Sequence, residues 1–178
     1  MGPTSNRENA VRGPAPVRIF LDEDVDPGVK SYLEGKGYVA HRACELGMSG
    51  MADGPAYVEA VRRGYDLIVT CNVHGPEAFH RETRRYLRCK GETLPVPIHQ
   101  LWEPGIGNSW PRLRFRFRRH SRRIARLARQ VEFTNPDERQ RKAIAALETL
   151  LRRAGRGAPS NPGNPRESNL SPVHAFPI

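Results

Sequence analysis

Apolar residues recur along the first hundred or so positions in two alternating rhythms. Short, largely apolar runs appear at Val17–Leu21 and Asp66–Thr70, with a weaker strand at Tyr38–Ala43. A continuous apolar run, as opposed to an alternating one, marks a strand covered on both faces, as in a parallel sheet. Between the runs, apolar positions are spaced as on one face of a helix. Val29 and Leu33 share such a face in a segment opened by Asp26 as N-cap and Pro27 at N1. Gly35 and Gly37 end that segment. Tyr57, Ala60 and Val61 form the apolar face of a second segment, which Asp53 caps and Gly64 stops. A third helix is predicted from Pro76-Glu77, with Phe79, Tyr86 and Leu87 inward and Arg81, Arg84, Arg85 and Arg88 outward. Leu94–Trp102 holds a fourth strand, which Pro95 and Pro97 confine to a sheet edge. This alternation predicts an α/β fold, a three-layer α/β/α arrangement on a short parallel sheet with right-handed crossovers.

The pattern changes after a Gly/Pro/Asn loop at Glu103–Trp110. Leu113–Arg118 alternates apolar and basic residues and reads as a strand, while Ile124, Leu127, Ala128 and Val131 mark an amphipathic helix. A last helix opens with Asn135 as N-cap, Pro136 at N1 and Asp137 and Glu138 against the dipole, and carries a stripe of Ile144, Leu147 and Leu151. It is expected to pack on the sheet or on a second copy of the chain, as a homodimer. The expected organisation is a disordered leader over 1–16, an α/β domain over 17–103, a basic and mostly helical extension over 104–154, and a disordered tail over 155–178.

Charge adds a partner class. The 178 residues carry a net charge of +10, chiefly from arginine. A basic surface attracts polyanions, nucleic acid above all. The three cysteines, Cys44, Cys71 and Cys89, form no CxxC pair, which points to a reducing, cytoplasmic setting without a disulfide framework. No apolar run has the length of a membrane span or of a signal-peptide core, so a soluble protein with no membrane partner is expected.

The candidate chemistry starts where the first strand ends, in Asp22-Glu23-Asp24. Acids at the carboxyl end of a parallel strand sit where open α/β sheets bind ligands. Packed acids raise one another's pKa unless a cation joins them. Oxygen ligands of this kind suit magnesium or manganese. The plainer reading is a solvated acidic turn leading into the next helix, and Asp53 is equally an N-cap. Cys71-x-x-His74 has ligand-like spacing and would need Cys44 or Cys89 to complete a zinc site; otherwise His74 is a surface histidine in a glycine turn. Arg112, Arg114, Arg116, Arg118, Arg119, Arg122 and Arg123 form either a solvated helix face or a surface for RNA or an acidic partner. Phe115 and Phe117 are read as base-stacking groups or as core, and Trp102 and Trp110 as core.

Phe20-Leu21-Asp22-Glu23-Asp24-Val25, Glu45-Leu46-Gly47 through Asp53, and Leu67-Ile68-Val69-Thr70-Cys71-Asn72-Val73-His74 stand in a recognisable order. Together they resemble a PIN-like family of prokaryotic proteins of the form LLDEDV … ELG … SDEEI … VLVTNDRDF. The resemblance covers about residues 17–79 and the edge strand. PIN domains are metal-dependent ribonucleases, many of them toxins paired with an antitoxin. The resemblance implies Asp22, Asp53, Asn72 and His74 as metal-site positions, with Asp22, Asp24, Asp53 and Asn72 in the catalytic group. It implies Mg2+ or Mn2+ as cofactor, RNA as substrate and an acidic antitoxin-like protein as a partner. Thr70 and the arginines would contact the RNA backbone. Asn72 and His74 depart from the family's two late aspartates. That loss of two negative charges implies weaker magnesium binding and a weakened or inactive nuclease, with RNA or partner binding as the alternative.

Overall fold

The computed structural model describes residues 15–71, 77–102, 112, 117–132 and 135–155. The expected leader and most of the expected tail, together with Asn72, His74, Trp110, Arg114, Phe115 and Arg116, lie outside the described residues. The elements run β1 (Arg18–Leu21), α1 (Pro27–Glu34), β2 (Val39–Arg42), a 3-10 turn (Ala43–Leu46), α2 (Asp53–Arg62), β3 (Leu67–Thr70), α3 (Ala78–Leu87) and β4 (Ile98–Gln100). Two longer helices follow, α4 (Phe117–Glu132) and α5 (Pro136–Arg153). The four strands form one sheet in the order β2-β1-β3-β4, and every pairing is parallel. The predicted α/β class and three-layer arrangement are therefore present.

Alternation along the strands separates two cores. Ile19 and Leu21 of β1 and Leu67 and Val69 of β3 face one layer, where they meet Val29 and Leu33 of α1 and Phe117, Ile124 and Ala128 of α4. Phe20, Ile68 and Ile98 face the other layer, with Tyr57 and Val61 of α2, Phe79 and Leu87 of α3 and Leu147, Leu150 and Leu151 of α5. Strands this short are stable because both faces are covered; Ile19, Phe20, Leu21, Leu67, Ile68 and Val69 are all fully enclosed.

Local signals fixed the starts of α1 and α5. The Asp26 carboxylate accepts from Gly28 N–H at 2.7 Å, with Pro27 beginning α1. Asn135 accepts from Asp137 N–H at 2.9 Å and caps α5. Asp53 differs from expectation: Ala52 is the N-cap and Asp53 is the first helical residue, so the acid stands in the first turn instead of capping it. Phe117 and Arg118 also differ, since they open α4 instead of ending a strand. Phe117 is buried, with its ring edge-on to Tyr32 at 4.8 Å. Burying that ring requires the apolar positions to fall on one helix face, which an alternating strand could not supply along with Ile124 and Ala128.

The C-terminal helices are integral to the two layers. Tyr32 and Ser121 join α1 to α4 through a 3.0 Å hydroxyl pair. On the other face Arg62 reaches Glu148 at 2.8 Å, and Arg139 Nε donates to Asp66 at 2.7 Å. Asp66 is buried and also accepts from Arg18 N–H at 2.9 Å, so α5 is clasped to the start of β3. Ile144 is only partly buried, and Leu150 takes a place in the α5 stripe.

Candidate functional site

From β1 the chain moves outward to β2, crosses back past β1 to β3, and continues to β4. The direction of winding therefore reverses between β1 and β3. Helices leave the sheet there on opposite faces, and the crevice at the carboxyl ends of those two strands is where open α/β sheets bind ligands. Asp22 follows β1 at this crevice, and Thr70 ends β3 beside it. Asp22 N–H donates to Val69 carbonyl at 2.9 Å, continuing the ladder by one residue.

Two residues along each strand, the side chains return to the same face. Asp22 thus shares the side of Phe20, and Thr70 the side of Ile68, which is the side covered by α2 and α3. The Thr70 hydroxyl donates to Asp22 Oδ2 at 2.8 Å, and Glu23 N–H donates to Oδ1 at 2.9 Å. Both bonds favour the charged carboxylate. They are outweighed. Burial, opposed by these two bonds but reinforced by the charges of Asp53 and Asp24, lifts the Asp22 pKa to about 6. Asp53 in the first turn of α2 is therefore close enough to act on Asp22 electrostatically.

The neighbouring acids have distinct jobs. Glu23 accepts from Gly50 N–H at 2.6 Å and ties the glycine-rich loop before α2 to the end of β1. Asp24 is exposed, and its charge is felt by both Asp22 and Cys71. Cys71 is buried on the α1 side, and burial, with Asp24 and Asp22 nearby, pushes its thiol up to about 12. Cys44 is exposed and Cys89 is buried in the opposite core. Among the described residues, no three His, Cys, Asp or Glu side chains converge to hold a metal ion.

Asp22, Thr70, Asp24 and Asp53 are thus brought to one region, whereas Asn72 and His74 lie outside the described residues. Arg112, Arg118, Arg119, Arg122 and Arg123 are exposed. The last four project from α4, whose layer lies across the sheet from the side that Asp22 and Thr70 face. Sequence reasoning missed two features. One is the buried pair His99 and His120, joined at 3.1 Å between β4 and α4; burial, His120 and Arg123 push His99 down to about 3. Neither histidine carries a local signal, since they meet only through tertiary packing. The other is Arg85 of α3, which lines a pocket of about 390 Å3 together with Asp53, Gly54, Glu82 and Tyr86. Its signal was present in the helical spacing of the α3 arginines.

No described helix is long and apolar enough to cross a membrane. Comparison with known proteins finds no family model, no curated protein and no solved structure that matches this chain.

Proposed function

We propose that this protein is a metal-dependent ribonuclease of PIN-like type, with Asp22 at its centre. The observation that carries the reading is the state of Asp22: a partly buried carboxylate at the point where strand order reverses, held by Thr70 and the Glu23 N–H, with its pKa lifted to about 6 although both bonds favour its charge. A strongly perturbed acid at the carboxyl ends of parallel strands is a functional-site candidate. The donor set fits magnesium or manganese in one particular way. Three convergent protein ligands are absent among the described residues. Magnesium, however, characteristically takes one or two carboxylates and completes its shell with water and substrate phosphate. Asp22 and Asp53 would be those carboxylates, with Asp24 adding outer negative charge.

When bound, such an ion lowers the pKa of water and neutralises charge on a phosphodiester. The chain's own residues do the rest. Thr70 fixes the rotamer of Asp22 through its 2.8 Å bond, and Glu23 holds the glycine-rich loop against the site. Asn72 and His74 stand at the positions of the family's late acids and weaken the hold on magnesium; an imidazole is better suited to manganese. A toxin role with an acidic antitoxin-like partner, and a cytoplasmic setting, belong to the same reading.

Purified protein with Mn2+ or Mg2+ is expected to cut single-stranded RNA, and Asp22→Asn to abolish the cut. A second reading, RNA or partner binding without cleavage, draws support from the exposed arginines of α3 and α4. It prevails if wild type and Asp22→Asn both bind RNA with steep salt dependence and both leave it intact.

A further inference from the structure

We propose that a single nucleic-acid strand is held through its phosphates in the groove along α3, not on the arginine face of α4. Arg81, Arg84 and Arg85 recur at i, i+3 and i+4, so they form one stripe on the helix, and Arg88 follows as its left-handed C-cap. A groove of about 860 Å3 runs along that stripe. Its lining holds the four arginines and Lys90 against one carboxylate, Glu77. Arg81 and Arg85 are strongly exposed, at 64% and 82%, and Glu82 meets them only at 3.6 and 3.9 Å. No carboxylate among the described residues is in ion-pair range of Arg84, Arg88 or Lys90. Five cations in a concave surface, largely uncompensated, match a phosphodiester backbone. The lining contains no Phe, Tyr or Trp and one ring, His80, against five cations, so the groove reads chiefly charge, not sequence.

The groove also has a direction. Arg85 lines both this groove and the adjoining pocket that contains Asp53. A strand lying along α3 would be handed by Arg85 toward the first turn of α2 and the Asp22 crevice. That path rests on the nuclease reading above; the binding itself does not.

The test is fluorescence anisotropy of labelled uridine and thymidine oligonucleotides of about 15 nucleotides, in chelator, over roughly 50 to 300 mM salt. Cleavage plays no part in it, so an inactive Asp22 site cannot mimic failure of the groove. For each phosphate that a variant no longer neutralises, the slope of log affinity against log salt should fall by about 0.7. The double variant Arg81→Gln/Arg85→Gln should therefore have a slope shallower by roughly 1.4 and bind at least about tenfold more weakly. The α4 pair Arg122→Gln/Arg126→Gln should bind as wild type does. Both pairs are exposed helical positions, and circular dichroism confirms folding. Equal binding of RNA and DNA marks backbone recognition; RNA alone marks an added hydrogen bond to the 2′-hydroxyl within the same groove. Unchanged affinity in the α3 variant, weakened binding in the α4 variant instead, or binding of an acidic peptide but neither oligonucleotide overturns the proposal.

Discussion

Asp22 holds a charge where the fold would be more stable without one. Its pKa is about 6 in the folded chain against an ordinary 3.8, so the native state binds the proton more tightly than the unfolded chain does. The sign follows directly. Below the ordinary value both states are protonated and there is no penalty; between 3.8 and about 6 the penalty grows as pH rises; above about 6 it is fully present. The shift corresponds to at most roughly 3 kcal/mol, and it already includes the opposing bonds from Thr70 and Glu23. Asp22→Asn removes the charge and keeps the shape, so it should stabilise the metal-free protein by about 1–3 kcal/mol near neutrality, with the gain gone by about pH 4. Urea denaturation of both proteins at the two pH values measures this, and a less stable Asn variant at neutral pH would refute it. The acid itself was legible in the sequence, because it directly follows an apolar run. Its burial was not, because that depends on Thr70, 48 residues away, and on the seating of α2.

At the scale of elements, α2 and α3 determine where Asp53 stands. They pack side by side, and a Cβ on Gly54 would lie 2.4 Å from Cβ and Cγ of Tyr86. Glycine is there for close approach, not for backbone freedom. Gly54→Ala should force the two helices apart at the first turn of α2, costing about 1–3 kcal/mol. Thermal unfolding reads that loss, and an unshifted midpoint would show that Tyr86 yields freely. The sequence showed α2 and its acidic start, but Asp53 was read as a cap because Gly54-Pro55 suggests a later helix start. Helix α3 was legible as an amphipathic element with its arginines outward. That those arginines border a groove reaching Asp53 needed the packing of α3 on α2. Helix α4 was half legible: Ile124 and Ala128 announced it, while the alternation before Phe117 suggested a strand until burial against Tyr32 decided the matter.

For the molecule as a whole, strand order is what turns separate acids into a site. Strand order reverses between β1 and β3, where Asp22 and Thr70 meet, and α2 and α3 pack over the same side of the sheet. The four strands of the sheet were readable in the sequence, but Leu113–Arg118 also read as a strand, and its last residues, Phe117 and Arg118, open α4 instead. The reversal was only implied by the parallel architecture. The basic extension was legible as two helices but not as the outer parts of both layers. Its anchors pair residues far apart in sequence, Arg139 with Asp66 and His99 with His120. Arginines line both faces of the molecule, along α3 on one and α4 on the other, and composition does not say which of them adjoins the acids.

The partly buried carboxylate of Asp22 is proposed to meet a cation, and thermal unfolding in a Mn2+ titration near neutral pH tests that most directly. A ligand that binds only the folded state adds about 2.7 kcal/mol at a hundredfold excess over its dissociation constant. Wild type should therefore melt progressively higher as Mn2+ rises, and Asp22→Asn, though more stable at the outset, should not respond. Equal shifts in the two proteins, or none in either, would contradict a metal site at Asp22.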